Sequence, residues 1–232
     1  MDYRSMVNPT FLTAKSTHYM LTAAGNEDAK KVIEALGTQD VMSADSKKNE
    51  GEKSPMSEAD SNAFLAGVTL AVEARYAALS HYINSNGVKN LLDIACGYTP
   101  RSVYCSKNGV DYVGVDVPVV AEELQKFAAE AGIVKDHPVY VGGDATNEAS
   151  LKAAADNLDG EILISCEGLT GYLSTDDAEK LAAAERQISA VSAARSLFAS
   201  VFVPGVISPE RLEALKGIAL SYVDEGVEPI VF

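Results

Sequence analysis

Residues 90–116 read NLLDIACGYTPRSVYCSKNGVDYVGVD. The apolar run from Asn90 to Ala95 predicts a buried β-strand, and a tight turn at Gly97 follows it. A helix over Arg101–Asn108 and a second strand over Tyr112–Asp116 are predicted next. A buried strand, a tight turn and a helix in this order present backbone N–H groups to a ligand at the edge of an open α/β sheet.

The turn departs from the Gly-x-Gly-x-x-Gly pattern of dinucleotide sites. Ala95 stands at the position of the first glycine, and Pro100 stands where the third would lie. Because a pyrophosphate requires the backbone to come very close, the turn favours a ligand without one. Asp116 follows the turn by about 20 residues, the spacing at which a carboxylate binds the hydroxyls of a ribose. The stretch therefore predicts a nucleoside site at Gly97 and Asp116; an ordinary turn and a solvated strand end are the alternatives.

Beyond Asp116 the sequence alternates between short apolar runs and helical segments. Further strands are predicted at Val139–Gly142, Ile162–Cys166 and Leu197–Val203. Helices are predicted at Glu122–Ala131, Ser150–Asn157 and Asp176–Arg195, with another helix starting at Ser208 and a hairpin over residues 219–232. Strands connected by helical crossovers run parallel, so their carboxyl ends meet at one edge of the sheet. Asp116, Asp144 and Glu167 close three of these strands and predict a ligand site at that edge.

A helical cap is predicted over residues 1–85, ahead of an α/β domain over residues 86–232. Amphipathic helices are expected within residues 1–43, the last of them capped by Asn26 and ended by Gly37.

A polar tract and a long helix connect this part to the first strand. Residues 44–55 contain no apolar residue after Ala44, which predicts an exposed loop. Ser57 is then the cap of a helix from Glu58 to about Asn84. Its predicted apolar face consists of Phe64, Leu65, Val68, Val72, Tyr76 and Leu79.

The charge of the chain excludes some classes of partner. Its formal charge is −14, from 33 acidic and 19 basic residues. Such a surface repels phosphate backbones and anionic lipids, so neither nucleic acid nor a membrane is expected as a partner. The sequence lacks both an apolar run of the ~18 residues that a membrane span needs and the apolar segment of a signal peptide at its start. No metal-ligand spacing links the cysteines and histidines, which are Cys96, Cys105, Cys166, His18, His81 and His137. The expectation is a reduced, cytoplasmic protein without a bound metal.

Two motifs carry a family resemblance. DIACGYTPR at 93–101, followed by VGVD at 113–116, resembles the nucleoside-binding half of a class I methyltransferase. The first motif lines up residue for residue with that of the leucine carboxyl methyltransferase family, which includes O-methyltransferases of polyketide synthesis. Residues 167–173, EGLTGYL, are similar to a second motif of that family, and the resemblance extends over Ala74–Ser174. Departures are Ala95 for a glycine and Thr99-Pro100 for Asp-Thr. The implied fold is α/β, a Rossmann-like class I methyltransferase sheet with an N-terminal helical cap.

The resemblance implies S-adenosylmethionine as the cofactor. The cofactor-binding residues that it implies are Arg75, Ala95, Gly97, Tyr98, Asp116, Asp144, Ala145 and Glu167. Arg75 would bind the carboxylate of the cofactor with its planar guanidinium. Asp144 and the backbone of Ala145 would contact the adenine, and Glu167 would line the pocket of the methionine moiety. Tyr172 is implied as a catalytic, substrate-side hydroxyl.

Four of these assignments have a structural alternative. Asp144 is equally a candidate helix cap, and Arg75 a surface side chain that extends along its helix. Glu167 is a candidate helix-terminal charge. Tyr172 is a candidate core residue.

The predicted function is that of an S-adenosylmethionine-dependent O-methyltransferase acting on a small-molecule hydroxyl or carboxylate. Methylation of a protein C-terminal carboxylate is one alternative, and a degenerate cofactor-binding module without turnover is another. A nicotinamide dehydrogenase is the weakest hypothesis, because the glycines of the dinucleotide pattern are missing.

Overall fold

The computed structural model describes most of the chain. The described residues are 9–37, 58–170, 172–191, 195–199 and 230–231. The predicted loop at 44–55, the Ser57 cap and the helix start at Ser208 lie outside them, as do residues 219–229 of the predicted hairpin.

The chain divides into two compact units. The first comprises Met1–Ser80 with Tyr98–Pro100, and the second comprises His81–Gly97 with Arg101–Phe232. The division of the chain into a cap over residues 1–85 and an α/β domain over residues 86–232 stays a prediction.

Helices form most of the described part of the first unit. They are α1 (Pro9–Ala23), α2 (Glu27–Leu36) and α3 (Glu58–Ser85), the last of which continues into the second unit. The side chain of Asn26 accepts hydrogen bonds from the backbone N–H groups of Asp28 and Ala29, at 3.1 and 3.0 Å, and caps α2. Gly37 ends that helix in the left-handed conformation, with φ of 61°. Both helix-end predictions are confirmed.

The buried face of α3 is shorter than its apolar pattern. Val72, Tyr76 and Leu79 are buried as predicted, whereas about half of the surface of Phe64 and Leu65 is exposed. The prediction is wrong at these two residues because apolar spacing identifies a face without showing how far a packing partner extends along it.

One described helix has the length and composition of a membrane span. Within α3, Asn62–Ser85 contains an 18-residue window with a mean hydropathy of 1.2, of which 17% is buried. A single helix of this kind is weak evidence for a membrane protein, since length and composition are the only criteria it meets.

The second unit contains a parallel sheet. Its strands are β1 (Asn90–Ile94), β2 (Asp111–Asp116), β3 (Tyr140–Gly142), β4 (Ile162–Glu167), β5 (Arg195–Ala199) and β6 (Ile230–Val231). They lie in the order β3-β2-β1-β4-β5-β6, and every neighbouring pair is parallel. This is the strand order of the Rossmann fold, in which the order reverses between β1 and β4 and ligands bind at the carboxyl ends of the strands. The predicted α/β, Rossmann-like fold is confirmed.

The register brings the predicted site residues to one edge. Ile94, the last residue of β1, pairs with Val115 of β2 and Cys166 of β4. The next residue of each neighbouring strand is a carboxylate, Asp116 on one side and Glu167 on the other. Both therefore flank the chain where it leaves β1.

Three helices of the second unit depart from the predicted bounds, and the one predicted at Ser150–Asn157 lies two residues earlier, at Glu148–Ala155. The helices of this unit are α4 (Arg101–Asn108), α5 (Pro118–Glu130), α6 (Glu148–Ala155) and α7 (Thr175–Val191). The fifth begins at Pro118 instead of Glu122, since proline has no N–H group to lose at the first helical position. The prediction that α7 reaches Arg195 and that a strand starts at Leu197 is also wrong, because Arg195 already belongs to β5. The alanine-rich sequence shows no break that would locate this boundary.

The core of the sheet lies between its central strands and the helices α6 and α7. Its buried residues include Leu92, Ile94, Val113, Val115, Leu151, Ile162, Ile164, Leu181 and Ile188. Burial of this apolar surface holds the central strands rigid, and the ligand edge is an extension of those strands.

Gly114 in β2 is packed too closely to accept a side chain. A Cβ atom at this position would lie 2.8 Å from the hydroxyl of Tyr112, 2.8 Å from Cδ1 of Tyr140 and 2.9 Å from the sulfur of Cys96. We expect Gly114→Ala to lower the free energy of unfolding by roughly 1–3 kcal/mol in urea denaturation, because these three neighbours are buried and resist displacement. Gly67→Ala is the control, since a Cβ at Gly67 on α3 would meet nothing within 4 Å. That variant should be neutral or stabilising by up to ~1 kcal/mol, and equal stabilities of the two variants would contradict the packing argument.

Candidate functional site

The turn after β1 has a left-handed backbone at two residues. Ala95 has φ of 53° and Gly97 has φ of 52°. Glycine adopts this conformation freely, whereas for alanine it costs roughly 1–2 kcal/mol. Ala95 stands where the resembling family has a glycine, so the turn keeps the left-handed backbone that the glycine would allow. Backbone strain of this kind is concentrated at ligand sites.

The side chain of Asp116, at the end of β2, is hydrogen-bonded to this turn. Its Oδ2 accepts a hydrogen bond from the N–H of Gly97 at 2.8 Å, and its Oδ1 accepts one from the N–H of Val117 at 2.8 Å. Burial raises the pKa of Asp116, and the two N–H groups act in the opposite direction. Because a carboxylate oxygen can accept more than one hydrogen bond, both oxygens still have the capacity to accept from a pair of ligand hydroxyls. The structure thus brings together Gly97 and Asp116, the pair on which the nucleoside prediction depends.

Asp144 follows β3, the outer strand on that side of the sheet, and is exposed. Its Oδ1 accepts from both the backbone N–H and the hydroxyl of Thr146, each at 2.8 Å. The cap of α6 is Asn147, whose side chain accepts from the N–H of Ser150 at 3.0 Å. The alternative that Asp144 caps this helix is therefore wrong. Its contact with adenine, together with that of the half-buried Ala145, stays a prediction.

Glu167 is paired with a buried arginine. Its Oε1 accepts a hydrogen bond from Nη2 of Arg101 at 3.1 Å, and the side chains of Arg101 and Glu167 are 1% and 17% exposed. Glu167 ends β4 and precedes Gly168, whose φ is 76°, so the alternative of a helix-terminal charge is wrong. Arg101 was not among the predicted site residues, although it ends the motif at 93–101. The sequence feature that could have identified Arg101 is its place at the first position of a predicted helix, where the helix dipole disfavours a cation.

A second unpredicted residue, Asp93, lies beneath the edge. It is in β1, is 4% exposed, and accepts hydrogen bonds from the hydroxyls of Ser165 at 2.5 Å and Tyr112 at 3.1 Å. Burial, with a contribution from the charge of Glu167, raises the pKa of Asp93 to about 6, while Arg101 and the two hydroxyls lower it. The sequence signal was a lone carboxylate inside an apolar strand, which is costly to bury without partners.

Two of the other predicted site residues belong to the first unit. Tyr98 is fully buried there, with its ring centroid 5.7 Å from that of His18 and 5.0 Å from Nζ of Lys15. Burial and, to a smaller degree, the charge of Lys15 lower the pKa of His18 to about 4, so this imidazole is neutral at neutral pH. Arg75 lies in α3 and is partly buried. The cofactor contacts of Tyr98 and Arg75 stay predictions.

Tyr172 follows β4 and is exposed. Its backbone N–H donates to the carbonyl of Leu169 at 2.9 Å, in a turn. The alternative that it is a core residue is wrong, and its catalytic role stays a prediction.

Neither a protein-family model nor a curated protein sequence matches the chain. Membership of the leucine carboxyl methyltransferase family therefore stays a prediction.

Solved structures include two similar ones. Magnesium protoporphyrin IX methyltransferase from Synechocystis PCC 6803, with bound S-adenosylmethionine, has 12% sequence identity and a TM-score of 0.47, with 77% of this chain and 79% of that chain covered. The same enzyme with bound S-adenosylhomocysteine has 12% identity and a TM-score of 0.44, with 88% and 78% covered. At these identities and TM-scores, neither likeness decides the activity or the ligand of this chain.

The thiols near the site are poorly suited to act as nucleophiles. Cys96, Cys105 and Cys166 are buried, as expected for the two at strand ends, and burial is the main cause that raises the pKa of each. For Cys105 the pKa rises to about 12. Because the thiolate is the reactive form, covalent catalysis by these residues is disfavoured.

The edge is acidic on balance. Asp116, Asp144 and Glu167 lie at the carboxyl ends of β2, β3 and β4 or just beyond them, with Asp93 beneath. Arg101 pairs with Glu167 in this set, and the exposed Lys180 of α7 interacts electrostatically with Asp144. An edge of this charge favours a cationic ligand over a phosphate-bearing one.

Proposed function

We propose that this protein is an S-adenosylmethionine-dependent O-methyltransferase acting on a small-molecule hydroxyl or carboxylate. The observation that carries the proposal is a hydrogen bond of 2.8 Å from the N–H of Gly97 to the carboxylate of Asp116. It lies at the point where the strand order reverses. It holds a carboxylate beside the turn after the first strand, where a nucleoside ribose binds in this fold. Methyl transfer is inferred from this nucleoside site together with the charge of the edge.

Charge supports a sulfonium nucleoside rather than a dinucleotide. S-adenosylmethionine carries a sulfonium, an ammonium and one carboxylate, but no phosphate. The excess of carboxylates at the edge attracts the two cationic groups and repels a pyrophosphate. Pro100 also replaces the third glycine that lets a helix start approach a pyrophosphate.

Methyl transfer makes modest chemical demands on the protein. The methyl group moves from sulfur to the acceptor oxygen in an in-line displacement, and the leaving thioether is neutral. The protein therefore has to align the two reactants and exclude water. A carboxylate acceptor is already ionised near neutral pH and needs no base. A hydroxyl acceptor would need one, and Tyr172 remains the proposed substrate-side group.

Asp116→Ala tests the nucleoside site directly. Loss of two charge-assisted hydrogen bonds to ribose hydroxyls is expected to weaken the binding of S-adenosylhomocysteine by about 2–4 kcal/mol in isothermal titration. Asp156→Ala is the matched control, because Asp156 is an exposed carboxylate whose partner is Lys152 on the surface of α6. It should bind like the wild type.

The same titrations separate the hypotheses. Unchanged affinity in a folded Asp116→Ala variant would remove this carboxylate from the site, and tighter binding of NAD than of S-adenosylhomocysteine would replace the proposal with a dehydrogenase. Methyl transfer from labelled S-adenosylmethionine to a panel of small acids and phenols then distinguishes an enzyme from a binding module without turnover.

A further inference from the structure

Three buried or half-buried charges interact beneath the ligand edge. Arg101 donates to Glu167 over 3.1 Å, and the charges of Arg101 and Glu167 both act on Asp93. The side chains of Arg101 and Asp93 are almost inaccessible to water, whereas that of Glu167 is 17% exposed. Among the three, Glu167 is therefore the group that a ligand can reach.

We propose that Asp93 is a positioning residue of this edge: its buried carboxylate offsets the charge of Arg101, and thereby leaves the charge of Glu167 available to a cationic group of the ligand. The identity of that group, the ammonium of the cofactor, rests on the proposed function. Asp93 itself does not touch the ligand. It acts through Arg101.

The geometry holds Asp93 in one orientation. It pairs across the sheet with Ser165 of β4, whose hydroxyl donates to Oδ1, while the hydroxyl of Tyr112 in β2 donates to Oδ2. Both donors lie on strands that pair directly with β1, so the carboxylate is fixed by the most rigid part of the sheet.

The electrostatic consequence follows from the count of charges. With Asp93 ionised, one guanidinium faces two carboxylates, and the cluster carries an excess of one negative charge. With Asp93 protonated, Arg101 and Glu167 neutralise each other. When Asp93 is protonated, a cationic ligand group near Glu167 is attracted by one negative charge fewer. In a partly buried site this corresponds to roughly a tenfold loss of affinity.

Asp93 is surrounded by other titratable and charged groups. Those acting on it or on its neighbours are Tyr112, Tyr140, Cys96, Cys105, Cys166, Asp116, Glu167, Glu185, Arg101 and Lys135. Burial raises the pKa of the tyrosine and cysteine side chains, which therefore stay protonated. Asp116 also has a raised pKa, so the experiment must separate its titration from that of Asp93.

The test compares two ligands that share the ribose. The affinities of S-adenosylhomocysteine, which has the ammonium, and adenosine, which lacks it, are measured by isothermal titration from pH 5 to 8. Titration of Asp116 affects both ligands through the ribose, so the ratio of their affinities reports the amino-acid part of S-adenosylhomocysteine, which carries the ammonium and a carboxylate. In the wild type we expect this ratio to fall roughly tenfold toward pH 5. In Asp93→Asn it should be low and independent of pH.

Ser165→Ala provides a second variant that keeps the charge of Asp93. Because the hydroxyl of Ser165 lowers the pKa of Asp93, its loss should move the midpoint of the ratio to higher pH. A merely structural role of Asp93 predicts instead that Asp93→Asn weakens both ligands equally, with the pH dependence of the ratio unchanged. That result would overturn the proposal.

A ligand-free measurement separates this inference from the proposed function. If neither ligand binds the wild type, the proposed function fails, and the coupling is read from the side-chain carboxyl carbon of Glu167 by NMR. Its resonance should shift as Asp93 titrates in the wild type, and that step should be absent in Asp93→Asn. A Glu167 resonance with no such step in the wild type would overturn the coupling, whether or not a cofactor binds.

Discussion

Replacing Arg101 with methionine is expected to lower the free energy of unfolding by about 3–5 kcal/mol at pH 7.5, the range observed when one partner of a buried ion pair is removed. Arg101 is fully buried, and its guanidinium is the partner of Glu167 and interacts with the charge of Asp93. Methionine fills much of the volume but leaves both carboxylates without their cation. The loss should be smaller at pH 5.5, because Asp93 can then take up a proton.

Urea denaturation at the two pH values measures this effect. The matched control is Lys152→Met, which breaks a 2.7 Å pair with Asp156 whose side chains are 54% and 62% exposed. A solvated pair of this kind contributes about 0–1 kcal/mol, so the control should differ little from the wild type. Similar losses in both variants would show that the guanidinium of Arg101 stabilises the fold no more than a surface charge does.

Local patterns in the sequence were sufficient for most of the sheet. Strands β1 and β4 are mostly apolar runs bounded by turn residues, which is the pattern of strands buried on both faces. Asn26 and Gly37 located both ends of α2 because helix capping depends on residues within one turn of the helix end. The spacing of about 20 residues predicted that Gly97 and Asp116 serve one ligand. The order of the strands brings the two residues together, within one hydrogen bond.

Long-range polar contacts were the part that the sequence did not reveal. Asp93 meets Ser165, 72 residues away, and Arg101 meets Glu167, 66 residues away. In the sequence, Asp93 and Arg101 are the first and last residues of the motif at 93–101, and nothing local indicates their partners. Their significance depends on which strand lies beside β1, and that neighbour is set by the packing of the whole sheet.

The boundary between α7 and β5 was predicted wrongly because the local sequence is compatible with a helix throughout. Residues 176–195 are rich in alanine and charged residues, both compatible with a helix, yet the chain is already in β5 at Arg195. Pairing with β4 decides that strand, and local propensity does not. The apolar face of α3 is a similar case. Phe64 and Leu65 fit its spacing, yet both are exposed in the structure.

The stability difference between the wild type and Asp93→Asn should depend on pH by about 3 kcal/mol. The pKa of Asp93 is about 6 in the folded protein, against 3.8 for an aspartate in an unfolded chain. A carboxyl with a raised folded pKa binds its proton more tightly in the folded state, so it destabilises the fold once it is ionised. Its contribution is therefore most favourable below pH 4 and is lost as the pH rises from about 4 to 6; at 1.36 kcal/mol per unit, the loss is about 3 kcal/mol. Asparagine cannot ionise and lacks this loss.

Other carboxyls, such as Asp111 with its lowered pKa, titrate in both proteins, so their contributions cancel in the stability difference. Measured by urea denaturation from pH 4 to 7.5, the variant should gain stability relative to the wild type as the pH rises, and a difference that stays constant would mean that Asp93 titrates like an exposed carboxyl.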